Sequence, residues 1–338
     1  MHWREVLKNN FTKWEALCEY LELDEHLRTK ILKKSSFPLN LPFRLASKIT
    51  KNTLADPILR QFVPLCEENE GALGFSTDPL EEATFCKTSK LIHKYQSRAL
   101  LIPTSACAMH CRFCFRRHFP YDVKEKSLDK EFELIANDPS LREIILSGGD
   151  PLSLSNETLK QHLDALDRIP HLKRVRFHTR FPIGIPERLE PEFLDLLENR
   201  NYQVWMIIHC NHARELDDDV ATALKSVLKR GIPVLNQAVL LKRVNDGIDA
   251  LEALCERLVN CGITPYYLHQ LDQIDGAHHF EVDEEIGLAL IEELQKRTSG
   301  YAVPKYVREV AGQPNKTSLD NIKLVLSEEP SFQASLQD

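Results

Sequence analysis

The sequence predicts an α/β protein: an open, partial parallel (β/α)6 barrel behind an N-terminal helical leader. Three observations carry that prediction. From about residue 98, six short apolar runs alternate with amphipathic helical patterns, an order that favours parallel strands with right-handed crossovers. The chain has 338 residues, enough for a barrel-sized unit and a smaller leader. The chemically distinctive side chains recur just after the apolar runs, where parallel α/β folds gather their functional groups.

Composition narrows the class. Hydrophobic residues make up 43% and charged residues 28%, ordinary values for a globular chain. They exclude a disordered chain, a collagen-like repeat and a small disulfide scaffold. The net charge is −7, so no global basic field exists to hold nucleic acid. No stretch approaches the ~20 apolar residues needed to cross a bilayer, and the first residues lack the pattern of a signal peptide. A cytoplasmic protein is the expectation. Its nine cysteines are then reduced, which makes them candidate ligands rather than crosslinks.

The elements follow in order. Over 1–92 the leader carries Trp14, Leu17, Cys18 and Leu21 at helical spacing, continued by Leu27, Ile31 and Leu32. Thr12 and Asp24 are its expected N-caps. Pro38, Pro42, Pro57, Pro64 and Pro79 then cut it into short pieces, and CEENEG at 66–71 reads as a surface loop. The main unit is expected over 93–318. Its strands are predicted at 99–103, 143–146, 174–178, 203–209, 234–240 and 265–270. Helices are predicted between them at 129–137, 156–169, 191–198, 217–229 and 248–259. Six units are too few to close an eight-fold barrel, hence the open form. A last helix at 284–297, an apolar segment at 301–307 and a polar tail at 319–338 complete the chain.

Cys107, Cys111 and Cys114 stand as C-x3-C-x2-C directly after the first predicted strand. Three thiolates on one short loop suit a metal centre. A closed zinc site completed by His110 or His118, and three unrelated core cysteines, are the alternatives. Three ligands on a four-iron cluster leave one iron open, which is the arrangement of a catalytic rather than a structural site. This spacing, with Phe113 before the last cysteine, resembles the radical S-adenosylmethionine superfamily. The resemblance implies a radical-SAM barrel and a 4Fe-4S cluster on Cys107, Cys111 and Cys114. It further implies S-adenosylmethionine on the open iron, cleaved to a deoxyadenosyl radical when an external donor such as flavodoxin or ferredoxin delivers an electron.

Other segments fit the same picture. Ser147-Gly148-Gly149-Asp150 ends the second predicted strand, and two glycines let a backbone approach a ligand closely. In the superfamily this position holds the methionine ammonium, which implies Gly148, Gly149 and Asp150 as contacts. His209 ends the fourth predicted strand and Gln237 lies in the fifth. Each alone reads as an ordinary satisfied polar group.

Along 37–318 the chain resembles lysine 2,3-aminomutases. The matching segments are DPILRQFVP (56–64), CAMHCRFCFRRHF (107–119), SGGDPL (147–152), NQAVLLKRVND (236–246), PYYLHQLD (265–272) and GYAVPKYV (300–307). That resemblance assigns His209 and Gln237 to S-adenosylmethionine and Lys316 to pyridoxal 5′-phosphate. It assigns Lys94, Tyr95 and Arg98 to the phosphate and Arg116 to the substrate carboxylate. Asp272 and Glu309 fall to the distal ammonium of lysine, with Glu309 where the family carries Asp. A carboxylate is matched bidentately by an Arg fork, and paired acids favour a cationic side chain over that of glutamate, the alternative substrate.

The chain lacks the C-terminal cysteines of the longer members, so no structural zinc is expected. The shorter chain is most similar to the branch that supplies (R)-β-lysine, which a ligase attaches to translation elongation factor P. A catabolic lysine 2,3-aminomutase is the other branch.

Overall fold

The computed structural model describes residues 1–122 and 124–319. The polar tail predicted at 319–338 therefore lies, apart from Leu319, outside the described residues.

Ten strands form one sheet in which each is hydrogen-bonded to its neighbour in sequence. They are β1 (Cys86–Thr88), β2 (Leu91–Tyr95), β3 (Arg98–Thr104), β4 (Glu143–Gly148), β5 (Arg174–Thr179), β6 (Gln203–Ile208), β7 (Val234–Val239), β8 (Thr264–His269), β9 (Lys305–Arg308) and β10 (Thr317–Ser318). The pairs from β3 to β9 are all parallel, and the two ends of the sheet are closed by antiparallel strands. No pairing joins β10 back to β1 among the described residues. The barrel is open, as the sequence predicts.

Helices α1 (Trp3–Lys8), α2 (Trp14–Tyr20), α3 (Glu25–Arg28), α4 (Phe43–Ser47) and α5 (Pro57–Phe62) make up the leader. The crossovers hold α6 (Asp129–Ala136), α7 (Asn156–Asp167), α8 (Phe181–Gly184), α9 (Pro191–Asp195), α10 (Asp218–Lys229) and α11 (Ile248–Asn260). α12 (Glu284–Arg297) precedes β9. Their N-caps are readable in the sequence. Ser155 accepts from the Thr158 amide, Asp217 from Val220 and Asp24 from Leu27.

Four expectations need correction. Thr12 is not a cap: α2 starts after Lys13, which makes no side-chain capping bond. The leader is not helical throughout, because its end forms β1 and β2. Leu91 and Ile92 are buried there, and the Thr88 hydroxyl accepts the Lys90 and Leu91 amides at the turn. The apolar segment at 301–307 divides into a 3-10 turn over Gly300–Ala302 and β9, a seventh parallel strand. The helix at 191–198 shortens to α9, and two further short turns, α8 and Pro186–Arg188, share its crossover.

Alternation along the strands creates the site. On β5, Val175, Phe177 and Thr179 are buried, while Arg174, Arg176 and His178 line a cavity of about 930 Å³ on the other face of the sheet. On β7, Val234, Asn236 and Ala238 are buried, and Gln237 and Val239 line the cavity. The leader shares one continuous core with the barrel: Leu17, Leu21, Leu41 and Phe62 pack in the same apolar cluster as Ile144, Val175 and Met206.

Candidate active site

The loop after β3 carries the three cysteines, and all three line the cavity. The leader holds that loop from behind. Asn10 Nδ2 donates to the Ala108 carbonyl at 2.7 Å, and the Arg112 fork grips Glu68 at 2.7 and 2.5 Å. Arg112 also donates to the Phe37 carbonyl at 2.7 Å. Burial pushes the Cys107 and Cys111 thiols up, and Cys114 up to about 11. Such thiols hold their protons at neutral pH, and binding of a metal centre would displace those protons to solvent.

No three His, Cys, Asp or Glu side chains are set to hold a single metal ion among the described residues. A four-iron cluster fits this donor set, since each thiolate takes a separate corner. His110 and His118 do not line the cavity. His110 Nδ1 meets the Pro38 carbonyl and His118 Nε2 meets that of Asp275.

One cation beside the trio was missed from sequence. Arg180 Nη1 lies 2.9 Å from Cys111 Sγ, while its Nη2 donates to Gln61 at 2.6 Å and Glu215 at 2.7 Å. It directly follows β5, so the rule that favoured strand ends could have found it. Arg180→Ala leaves Glu215 buried without its cation and is expected to cost about 3–5 kcal/mol of stability. Chemical denaturation of the cluster-free protein measures that loss.

At the end of β4 the glycines serve the protein's own backbone. Gly148 has φ +105, and a Cβ there would sit 2.5 Å from Ile102 Cγ2. A Cβ on Gly149 would sit 2.5 Å from the Ala106 carbonyl oxygen. The close approaches are thus to β3 and to the start of the cysteine loop. Asp150 lines the cavity, and its side chain is engaged by the fold. Its buried carboxylate accepts from Thr179 Oγ1 and from the amides of Leu152, Arg180 and Phe181, which locks the ends of β4 and β5 together. His209 and Gln237 both line the cavity, 2.6 Å apart through Nε2 atoms, and burial holds His209 down at about 3, neutral at physiological pH.

Beyond the cysteines the cavity gathers the remaining residues singled out by the sequence. Lys316, in the turn before β10, and Lys94 and Tyr95, on β2, all converge on Glu309 at the end of β9. Lys94 Nζ lies 2.7 Å from Glu309 Oε1, and Tyr95 Oη and Lys316 Nζ donate to the same carboxylate. Burial pushes the Glu309 carboxyl up, but these three donors overcome it and hold it at about 2.

This differs from the sequence expectation. Lys94 and Tyr95 were assigned to phosphate and Glu309 to a substrate ammonium, yet here they satisfy one another. A half-buried acid flanked by partly buried cations, with little water to compete, pairs with them. Arg98 stays outside that network, stacked over the Tyr95 ring at 4.1 Å. Arg176, which the sequence reading passed over, binds Glu143 at 2.6 Å and leaves its buried Nε unpartnered. Arg98 and Arg176 both line the cavity.

Asp272, three residues past β8, lines the cavity, and its carboxylate has no hydrogen-bond partner among the described residues. Burial pushes its pKa up to about 7. Arg116 is held by Glu82, which no sequence pattern marked: Nε–Oε2 is 2.8 Å and Nη2–Oε1 is 2.5 Å.

A cysteine loop after the first parallel strand of an open barrel, facing a cavity at the strand ends, defines a radical S-adenosylmethionine enzyme, and residues 101–258 match the model of the Radical SAM superfamily. The chain is 41% identical over 320 residues to the L-lysine 2,3-aminomutase of Haemophilus influenzae, covering 94% of this chain and 95% of that one. It is 39% identical over 323 residues to that of Escherichia coli, covering 94% of each. With that of Clostridium subterminale it shares 35% over 321 residues, covering 93% of this chain and 77% of that one. The chain belongs to the L-lysine 2,3-aminomutase family.

Proposed function

We propose that this chain converts L-α-lysine to (R)-β-lysine with a 4Fe-4S cluster, S-adenosylmethionine and pyridoxal 5′-phosphate. The product would modify translation elongation factor P through its ligase in the cytoplasm, and a flavodoxin or ferredoxin would supply the electron. One observation carries the reading: a single cavity is lined at once by Cys107, Cys111, Cys114, Arg116, Asp272 and Lys316. No helix among the described residues is long and apolar enough to cross a membrane.

When bound, the cluster and S-adenosylmethionine supply a hydrogen-abstracting radical, and pyridoxal phosphate supplies the conjugated system that carries the migrating amino group. The chain's own groups bind and orient. The Lys316 amine would carry the pyridoxal ring. Arg98 and Arg176 would hold its phosphate, with Lys94 and Tyr95 shared between phosphate and Glu309. Arg116 would take the substrate carboxylate, and Asp272 its distal ammonium. The backbone at Gly148 and Gly149, locked by Asp150, would form one wall of the adenosylmethionine site, with His209 and Gln237 opposite. These contacts fix both ends of lysine, so that its β-carbon meets the radical in one orientation.

The test is anaerobic reconstitution with iron, sulfide and pyridoxal phosphate, followed by S-adenosylmethionine, dithionite and L-lysine. Chiral derivatisation and mass spectrometry are expected to show β-lysine of the R hand. The S hand would assign the chain to catabolism. Deoxyadenosine without β-lysine would overturn the substrate assignment.

A further inference from the structure

We infer that Glu82 is a positioning residue for substrate recognition: it holds Arg116 by one edge of the guanidinium and so presents the other edge to the substrate carboxylate. The inference rests on the reading of Arg116 as the carboxylate site.

A guanidinium has two edges that can each grip a carboxylate through two N–H groups. Glu82 occupies the edge formed by Nε and Nη2, at 2.8 and 2.5 Å. The Nη1–Nη2 edge is left, with Ser147 Oγ 3.4 Å from Nη1. The Arg116 and Glu82 side chains are only 5% and 12% exposed, so water does not compete for either. The Phe115 ring lies 4.6 Å from the guanidinium carbon and fixes its plane. A substrate carboxylate can therefore dock on the open edge while Glu82 stays in place.

Glu82 is itself anchored. Its amide donates to Asp78 Oδ1 at 3.1 Å, and Glu81 before it adopts a left-handed φ of 50° to turn the chain. A few residues upstream, the Ser76 amide donates to the Gln273 carbonyl, and the Asp275 amide donates to the Ser76 carbonyl, both at 2.9 Å. The strap from Ser76 to Glu82 thus ties the loop that carries Asp272 to the guanidinium of Arg116. The two groups that would grip opposite ends of the substrate share one frame, supplied by the leader. Truncating Glu82 frees Arg116 to swing without removing it, so recognition of the carboxylate should suffer more than recognition of the ammonium.

The experiment compares wild type, Glu82→Gln and Glu82→Ala, each loaded with pyridoxal phosphate and cluster. Each is titrated by absorbance with L-lysine and with L-lysinamide, which lacks the carboxylate. Wild type is expected to prefer lysine by about tenfold or more, as a charge-assisted bidentate contact implies. In Glu82→Ala that preference should fall to within about threefold, through weaker lysine binding with lysinamide affinity unchanged. Glu82→Gln, which keeps the shape, should lie between them and guards against a folding defect. Wild-type preference retained in either variant overturns the role of Glu82. No preference in wild type instead overturns Arg116 as the carboxylate site.

Discussion

Lys316→Ala is expected to reduce aminomutase turnover to background while the cluster still forms. The purified variant should lack the absorbance of protein-linked pyridoxal phosphate, and borohydride should no longer fix the cofactor to the chain. The physical reason lies in the surroundings of this amine. Lys316 is 27% exposed in its side chain and sits against Glu309 in the wall of the cavity that the three cysteines also line. Lys94 is bound to both Glu309 and the Val310 carbonyl, whereas the Lys316 amine has Glu309 alone as its partner among the described residues. Lys305, the third lysine of the lining, lies on β9 with its side chain in none of the hydrogen bonds to Glu309. An unchanged absorbance in the variant would move the attachment to one of these. Glu309 should stay ionised in the variant, since Lys94 and Tyr95 remain on it, so the loss reflects the missing amine and not a collapsed wall.

Much of this arrangement is legible in the sequence, and the division follows from which forces are local. The six predicted strands all form, because short apolar runs separated by capped helices admit few other solutions. The α12 boundaries agree at both ends, 284 and 297, where Asp283 and Thr298 flank a clean amphipathic pattern. The cysteine loop is legible because its spacing is distinctive, whereas Lys316 is singled out only by the family resemblance. What was not legible depends on long-range packing. β1 and β10 have three and two residues, too short for any periodicity, and exist because an edge strand was available to pair with. Glu82 and Arg180 look like ordinary surface charges in the sequence. They become site residues only because the leader strap reaches Arg116 and because β5 ends beside Cys111. Asp150 shows another limit: its four donors, Thr179 Oγ1 and the amides of Leu152, Arg180 and Phe181, come together only once β4 and β5 are paired.

Asp272 makes the sharpest prediction about pH. Burial raises its carboxyl to about 7, with Lys316 opposing and Glu309 and Glu82 adding to the rise. Below that pH the group is neutral and cannot attract an ammonium, and above it the group is charged. Lysine binding should therefore weaken as pH falls from 8 to 6, by about tenfold per unit once Asp272 is mostly protonated. The cavity histidines do not confuse the assignment. Burial holds His209 at about 3 and drives His178 and His269 well below their usual range, so none of them changes charge in that window. Glu309, at about 2, is ionised throughout.

Asp272→Asn should both weaken lysine binding at pH 8, by roughly thirtyfold or more for a loss of about 2–5 kcal/mol, and abolish the dependence between pH 6 and 8. Lysine titrations of the cofactor-loaded protein across that range measure both effects. A variant that kept the wild-type slope would show that some other group titrates there. Because bound lysine places a cation beside the carboxylate, it should also pull the Asp272 pKa down, so the pH dependence of kcat should be shallower than that of kcat/KM. That difference is the signature of an acid that recognises the substrate rather than one that moves a proton in the reaction.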